Sequence, residues 1–172
     1  MTEFRNLLAA LLAEIFACAG NPDYFTPEEA TENRQRLQEF EQLYRNRQLV
    51  CHSDGSVGLV PNAFGKQEVQ SAGAGYTIET KEGLVLEEAY LPLPLIYDGK
   101  PVTSLVAEYE AVLYCLQTLA TTHSHPEILQ IEFFADSEIL VRQVNGESRT
   151  RIEAQKRMKR EVLAYAKRFA SI

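Results

Sequence analysis

The chain has 172 residues and 19.4 kDa, with 45% hydrophobic and 24% charged residues, 9 Gly and 7 Pro. That is enough for one domain with a sizeable core, or one domain plus an extension, and it excludes disordered, low-complexity and solenoid architectures. The net charge of −7 argues against a protein that coats nucleic acid by overall charge, yet residues 1–48 carry −3, residues 49–146 carry −9 and residues 147–172 carry +5. Because charges are screened beyond about 8 Å at physiological salt, a polyanion would meet that basic end rather than the net value.

In chain order, Phe4, Leu7, Leu8, Leu11, Leu12, Ile15 and Phe16 recur at i, i+3, i+4 spacing, which predicts a helix over 3–19 with one buried face. Gly20-Asn21-Pro22-Asp23 breaks it. Thr26, Pro27 and Glu29 then supply a cap, a first-turn proline and a capping-box acid for a second helix running to about Gln48, anchored by Leu37, Phe40, Leu43 and Tyr44. Together these form an N-terminal helical hairpin, 1–48.

From Leu49 the period changes. Leu49–Asp54 is a short apolar run ending in an acid and Gly55, as a buried strand ending at a loop does. Residues 57–72, with Gly58, Pro61, Asn62 and Gly65, read as an extended loop. Gly73–Thr80 and Leu84–Leu91 alternate on either side of Lys81-Glu82-Gly83, a hairpin of antiparallel strands. A proline-rich connection follows, and Thr103 or Ser104 caps a helix to about Thr121. Ile128–Ala135 is the fourth strand, ending at Asp136. A helix from Ser137 to about Val144 and a last helix over 150–170 complete the chain.

The predicted fold class is therefore α/β, an arrangement in which the first and fourth strands can lie side by side in parallel, with flanking helices over 49–172. Parallel neighbours ending in Asp54 and Asp136 bring two carboxylates to one sheet edge, where open α/β sheets place their sites. Glu108, near the start of the intervening helix, can point to the same spot. Glu110 competes with it, but residues two apart on a helix are about 200° apart, so only one can face the site. His52 is expected to point away from Asp54, and His123 and His125 to sit in a loop, so no histidine is assigned chemistry. Ser137 and Glu138 read as helix-capping residues.

Cys18, Cys51 and Cys115 are odd in number and apolar in context, which predicts free thiols in a reducing, cytoplasmic setting. Ala17-Cys18-Ala19-Gly20 loosely resembles an export cleavage site, but Glu14 inside the apolar run and a single preceding Arg5 oppose that reading. No stretch reaches the roughly 18–20 apolar residues of a membrane span, and no membrane partner is expected.

Ser53-Asp54-Gly55-Ser56, Gly73-Ala74-Gly75-Tyr76, Ala107-Glu108-Tyr109-Glu110-Ala111, Ala135-Asp136-Ser137-Glu138 and Val141-Arg142-Gln143-Val144-Asn145-Gly146-Glu147 resemble, in that order, the type 1 ribonucleases H and their reverse-transcriptase-like relatives, over about 49–170. The resemblance implies a ribonuclease H-like mixed sheet, strands 1–3 antiparallel and strand 4 parallel to strand 1, and a metal-dependent endonuclease that hydrolyses the RNA strand of RNA–DNA hybrids. Such chemistry needs clustered oxygen ligands for one or two Mg²⁺ or Mn²⁺ ions about 4 Å apart. Carried over, Asp54, Glu108 and Asp136 become catalytic metal ligands. Ser56, Ser104, Arg149, Arg151, Lys156, Arg157, Lys159 and Arg160 become nucleic-acid contacts, with a solvated helix face the competing reading of the basic residues.

The sequence departs from the family pattern in three ways. It stops at Phe169–Ile172, where the family's fifth strand would begin, before a fourth carboxylate, which implies a weakened second metal site. Ser104 and Leu105 stand where the family commonly has two asparagines that read the RNA strand. No familiar hybrid-binding module precedes the domain. An uncovered fourth strand would be a pairing liability, so the helical hairpin is expected to cover it, or two chains to pair through that edge or the hairpin. The functional alternative to the active nuclease is a catalytically weak or inactive ribonuclease H-like module that binds nucleic acid or protein.

Overall fold

The computed structural model describes residues 47–172 apart from Ser124, together with Thr31, Gln35 and Gln38. The chain forms two compact units, Met1–Arg45 and Asn46–Ile172. In the first, Thr31, Gln35 and Gln38 are helical and exposed; the rest of the expected helical hairpin, with its apolar anchors and Cys18, lies outside the described residues.

The second unit runs β1 (Gln48–Pro61), β2 (Gln67–Thr80), β3 (Val85–Pro92), β4 (Ile96–Tyr97), β5 (Lys100–Pro101), α1 (Ser104–Thr122), a 3-10 turn at Pro126–Ile128, β6 (Gln130–Ala135), α2 (Glu138–Val144) and α3 (Glu153–Ala166). One four-stranded sheet has the order β3-β2-β1-β6, with β1, β2 and β3 antiparallel and β6 parallel to β1. This is the expected mixed sheet. Alternation along β1 sends Leu49, Cys51 and Ser53 inward. Above them α1 buries Tyr109, Val112, Leu113, Cys115, Leu116 and Leu119, and α3 adds Met158 and Val162 to the same core. Cys51 and Cys115 are free thiols inside that core. Among the described residues no helix is long and apolar enough to cross a membrane.

Residues 57–72 are not an extended loop. They complete a long hairpin in which β1 and β2 pair as far as Pro61↔Gln67, with a register shift after Gly58. Glycine and proline had signalled a loop, but here Gly58 marks the bulge and Pro61 takes the last strand position, where strands accept proline. Asn62 makes the turn: its Oδ1 accepts from the N–H groups of Phe64 (2.9 Å) and Lys66 (3.0 Å), and Gly65 has φ +75°. The proline-rich connection also carries structure, since Asp98 and Gly99, both at positive φ, turn the β4–β5 ribbon.

Thr103, not Ser104, caps α1, its hydroxyl accepting from the Val106 N–H at 3.3 Å. The last helix is shorter than its periodicity suggests. It stops at Ala166 because the chain turns back to bury Phe169 and pair with β6: Ala170 N–H donates to the Leu129 carbonyl and Ile131 N–H to the Ser171 carbonyl, both at 2.9 Å. Ser171 thus forms a parallel bridge with Gln130. The outer edge of β6 is engaged at its beginning by the chain's own last residues.

Candidate metal centre

Three elements converge at one end of the sheet. Asp54 lies in β1 just past its pairing with β6, whose last rung is Ser53↔Ala135, and Asp136 follows β6 directly. Glu108 comes from the second turn of α1. Its reach depends on Gly55: a Cβ there would stand 2.2 Å from the Glu108 backbone nitrogen and 2.3 Å from the Ala107 carbonyl carbon. Only glycine lets α1 approach the strand this closely. One carboxylate oxygen from each of Asp54, Glu108 and Asp136 lies within 4.8 Å of the others.

The electrostatics of this cluster are those of an uncompensated anion site. Glu108 is buried while Asp54 and Asp136 are exposed. Burial, then the neighbouring Asp136 and Asp54 charges, push its carboxyl up to about 7, against an opposing hydrogen bond from the Gly55 backbone. Glu108 Oε2 is buried without a hydrogen-bond partner. A buried acceptor normally has one; here a hard divalent cation bound among three oxygen donors would supply it, so the residues present fit such an ion. Glu110, the rival acid, faces elsewhere, where its carboxyl interacts with Tyr97 and Arg157.

The expected helix-capping role of Ser137 holds: its hydroxyl accepts from the Leu140 N–H at 3.4 Å, and Glu138 pairs with Arg142 at 2.8 Å. The expectation for His52 fails. Residues two apart on a strand share a face, so His52 and Asp54 are both exposed and line one shallow groove with Thr77, Glu88 and Tyr90. His52 stacks on Phe134, with ring centroids 5.2 Å apart. Ser56 continues that exposed face, and Ser104 is exposed at the first position of α1 beside half-buried Leu105.

The basic residues do not share one setting. Arg149, Lys156, Lys159 and Arg160 line one open groove with Gly146, Ser148 and Thr150. Within it Lys156 pairs with Glu153 at 3.0 Å and Arg160 approaches the same acid at 3.9 Å. Arg149 and Arg151 are exposed. Arg157 stands apart: it binds both oxygens of Asp98, at 3.2 and 3.0 Å, and lies over the Tyr97 ring. It ties the β4–β5 ribbon to α3. Arg157, expected as a phosphate contact, is thus engaged by a carboxylate and an aromatic face within the protein.

Hydrophobic periodicity did not reveal a buried polar link between the helices. Tyr109, the neighbour of Glu108, donates its hydroxyl to Gln143 Oε1 at 3.0 Å, and Lys159 Nζ donates to the Gln143 carbonyl. Gln143 is buried because it lies on the inward side of this short helix.

Comparison with known proteins agrees with this architecture. The chain is similar over its fold to RNase H1 of the halophilic archaeon Halobacterium salinarum (18% identity, 72% of this chain and 80% of that one, TM-score 0.55). It is similar to the N-terminal RNase H domain of a Mycobacterium tuberculosis protein (20% identity, 73% and 78%, TM-score 0.56). A third likeness is to LC11-RNase H1, from a compost metagenome, in complex with an RNA/DNA hybrid (22% identity, 72% and 84%, TM-score 0.56). No curated protein sequence matches. Residues 62–172 match the family described as reverse transcriptase-like. With that match spanning well over half of the chain and the sheet order of an RNase H fold beneath it, the chain belongs to the reverse transcriptase-like, RNase H-like family.

Proposed function

We propose that this protein is a metal-dependent endonuclease that hydrolyses the RNA strand of RNA–DNA hybrids, with Asp54, Glu108 and Asp136 as its catalytic metal ligands. The observation that carries the reading is the convergence of three carboxylates within 4.8 Å around a buried, unpartnered Glu108 oxygen. Family membership supports the same reaction class, and one structural neighbour is a complex with an RNA/DNA hybrid.

One or two divalent cations held at this centre would supply activation of the attacking water and stabilisation of the leaving oxyanion. The chain's own contribution is to hold the three carboxylates together against their repulsion. Gly55 sets the depth of Glu108, and the strand ends fix Asp54 and Asp136 at the rim. Before a cation enters, burial and the neighbouring Asp136 and Asp54 favour the protonated form of Glu108. Ser104, exposed at the start of α1, offers a hydroxyl to the RNA strand, whereas Leu105 offers none. Arg149, Arg151 and the groove cations would hold phosphates by charge.

A second reading, a nucleic-acid-binding module with weak or no turnover, draws on the same groove and on Leu105. The deciding experiment incubates the full chain with labelled RNA–DNA hybrid, RNA duplex, DNA duplex and single-stranded RNA in Mg²⁺ and then Mn²⁺, beside Asp54→Asn and Asp136→Asn. The proposal expects cleavage of the hybrid's RNA strand that both substitutions abolish. Salt-sensitive binding without cleavage by the folded protein would favour the binding module.

A further inference from the structure

We infer that Tyr109 and Gln143 are positioning residues that set the distance between Glu108 and Asp136, an inference that rests on the reading of the carboxylate cluster as a cation site. The argument starts from α2. It has only seven residues, and only Leu140 and Gln143 of them are buried; Glu138, Ile139, Val141 and Arg142 are exposed. A helix so short has little intrinsic stability, so its placement depends on its few anchors. Asp136 sits two residues before its first turn. The Ser137 cap fixes that end, and at the other end the Tyr109 hydroxyl binds the Gln143 side chain at 3.0 Å.

Tyr109 is fully buried and adjoins Glu108 on α1. The hydrogen bond therefore joins the helix that carries one carboxylate to the helix that begins beside another. Lys159 of α3 donates to the Gln143 backbone carbonyl, adding a third helix to the same junction. Three repelling acids need an outside constraint to keep a fixed spacing, and partners behind metal-ligating residues commonly supply one.

The test is titration of the full chain with Mn²⁺ by calorimetry, together with the midpoint of thermal unfolding without metal. Tyr109→Phe keeps the ring and removes only the hydroxyl; Tyr109→Phe combined with Gln143→Met removes both polar partners of that bond. The expected result is a Kd for Mn²⁺ about tenfold weaker in both variants, with the thermal midpoint of the double variant recovering toward the parent while its affinity does not. Affinity within twofold of the parent in Tyr109→Phe, or affinity that recovers with stability in the double variant, would reduce the bond to packing and overturn the inference. Asp54→Asn separates the two levels. If it abolishes Mn²⁺ binding while the Tyr109 variants bind normally, only the positioning role falls; if it binds Mn²⁺ like the parent, the cation site falls and the positioning role with it.

Discussion

The raised carboxyl of Glu108 makes the metal-free protein respond to pH in an unusual direction. A glutamate that titrates near 4.5 in the unfolded chain and at about 7 in the folded one leaves the folded state holding the extra proton between those values. Its folded form is favoured below the unfolded value, and that advantage is lost as pH rises through about 7. The shift corresponds to about 3 kcal/mol between pH 4 and 8, an upper figure for one buried acid facing two exposed ones. Glu108→Gln keeps the shape and removes the charge, so its stability should lack this component of the pH dependence. Urea unfolding of parent and variant in metal-free buffer from pH 5 to 8.5 measures it: the variant should gain on the parent as pH rises, by about 2 kcal/mol across that range. Saturating Mg²⁺ should then stabilise the parent at pH 8 and leave the variant nearly unchanged, because a cation that binds only the folded state adds stability through its affinity. A difference between the two proteins that is flat with pH, or equal stabilisation of both by Mg²⁺, would refute the reasoning.

Four further outcomes follow. Gly55→Ala places a methyl 2.2 Å from backbone of α1, and should cost at least ~2 kcal/mol in denaturant titration while weakening Mn²⁺ binding, since α1 must move away from the strand. Arg149→Ala and Arg151→Ala should each lower the salt slope of hybrid binding by about one. Arg157→Ala, whose guanidinium already holds Asp98, should leave that slope unchanged and instead loosen the β4–β5 ribbon, seen as faster amide exchange at Asp98 and Gly99. The affinity for Mg²⁺ should rise with pH through about 7 as Glu108 gives up its proton, and an affinity constant with pH from 6 to 8 would contradict the assignment of the cation to that carboxylate.

How much of this was legible in the sequence depended on the range of the interaction. Strand alternation in β2 and β3, the apolar face of α1 and the acids at the strand ends are local patterns that led to an α/β sheet and to Asp54 and Asp136, while the family resemblance supplied the full sheet topology and chose Glu108 over Glu110. The long β1–β2 hairpin was not legible because Gly58 and Pro61 carry the same local signal in a bulged strand end as in a loop, and only pairing across the turn distinguishes them. His52 shows a different failure. Strict period-two reasoning does put it on the face of Asp54, and the contrary expectation misapplied the period. Arg157 and Gln143 lay beyond local reading altogether. Their roles come from partners 59 and 34 residues away in sequence, where neither charge pattern nor hydrophobic period carries information.

The account stands on the three carboxylates forming one cation site, and anomalous diffraction from crystals soaked in Mn²⁺ tests this most directly. The prediction is a peak bounded by Asp54, Glu108 and Asp136, roughly 2.1 Å from their oxygens as hard divalent ions require, that disappears in Asp136→Asn. Well-ordered carboxylates with no Mn²⁺ peak between them would contradict it.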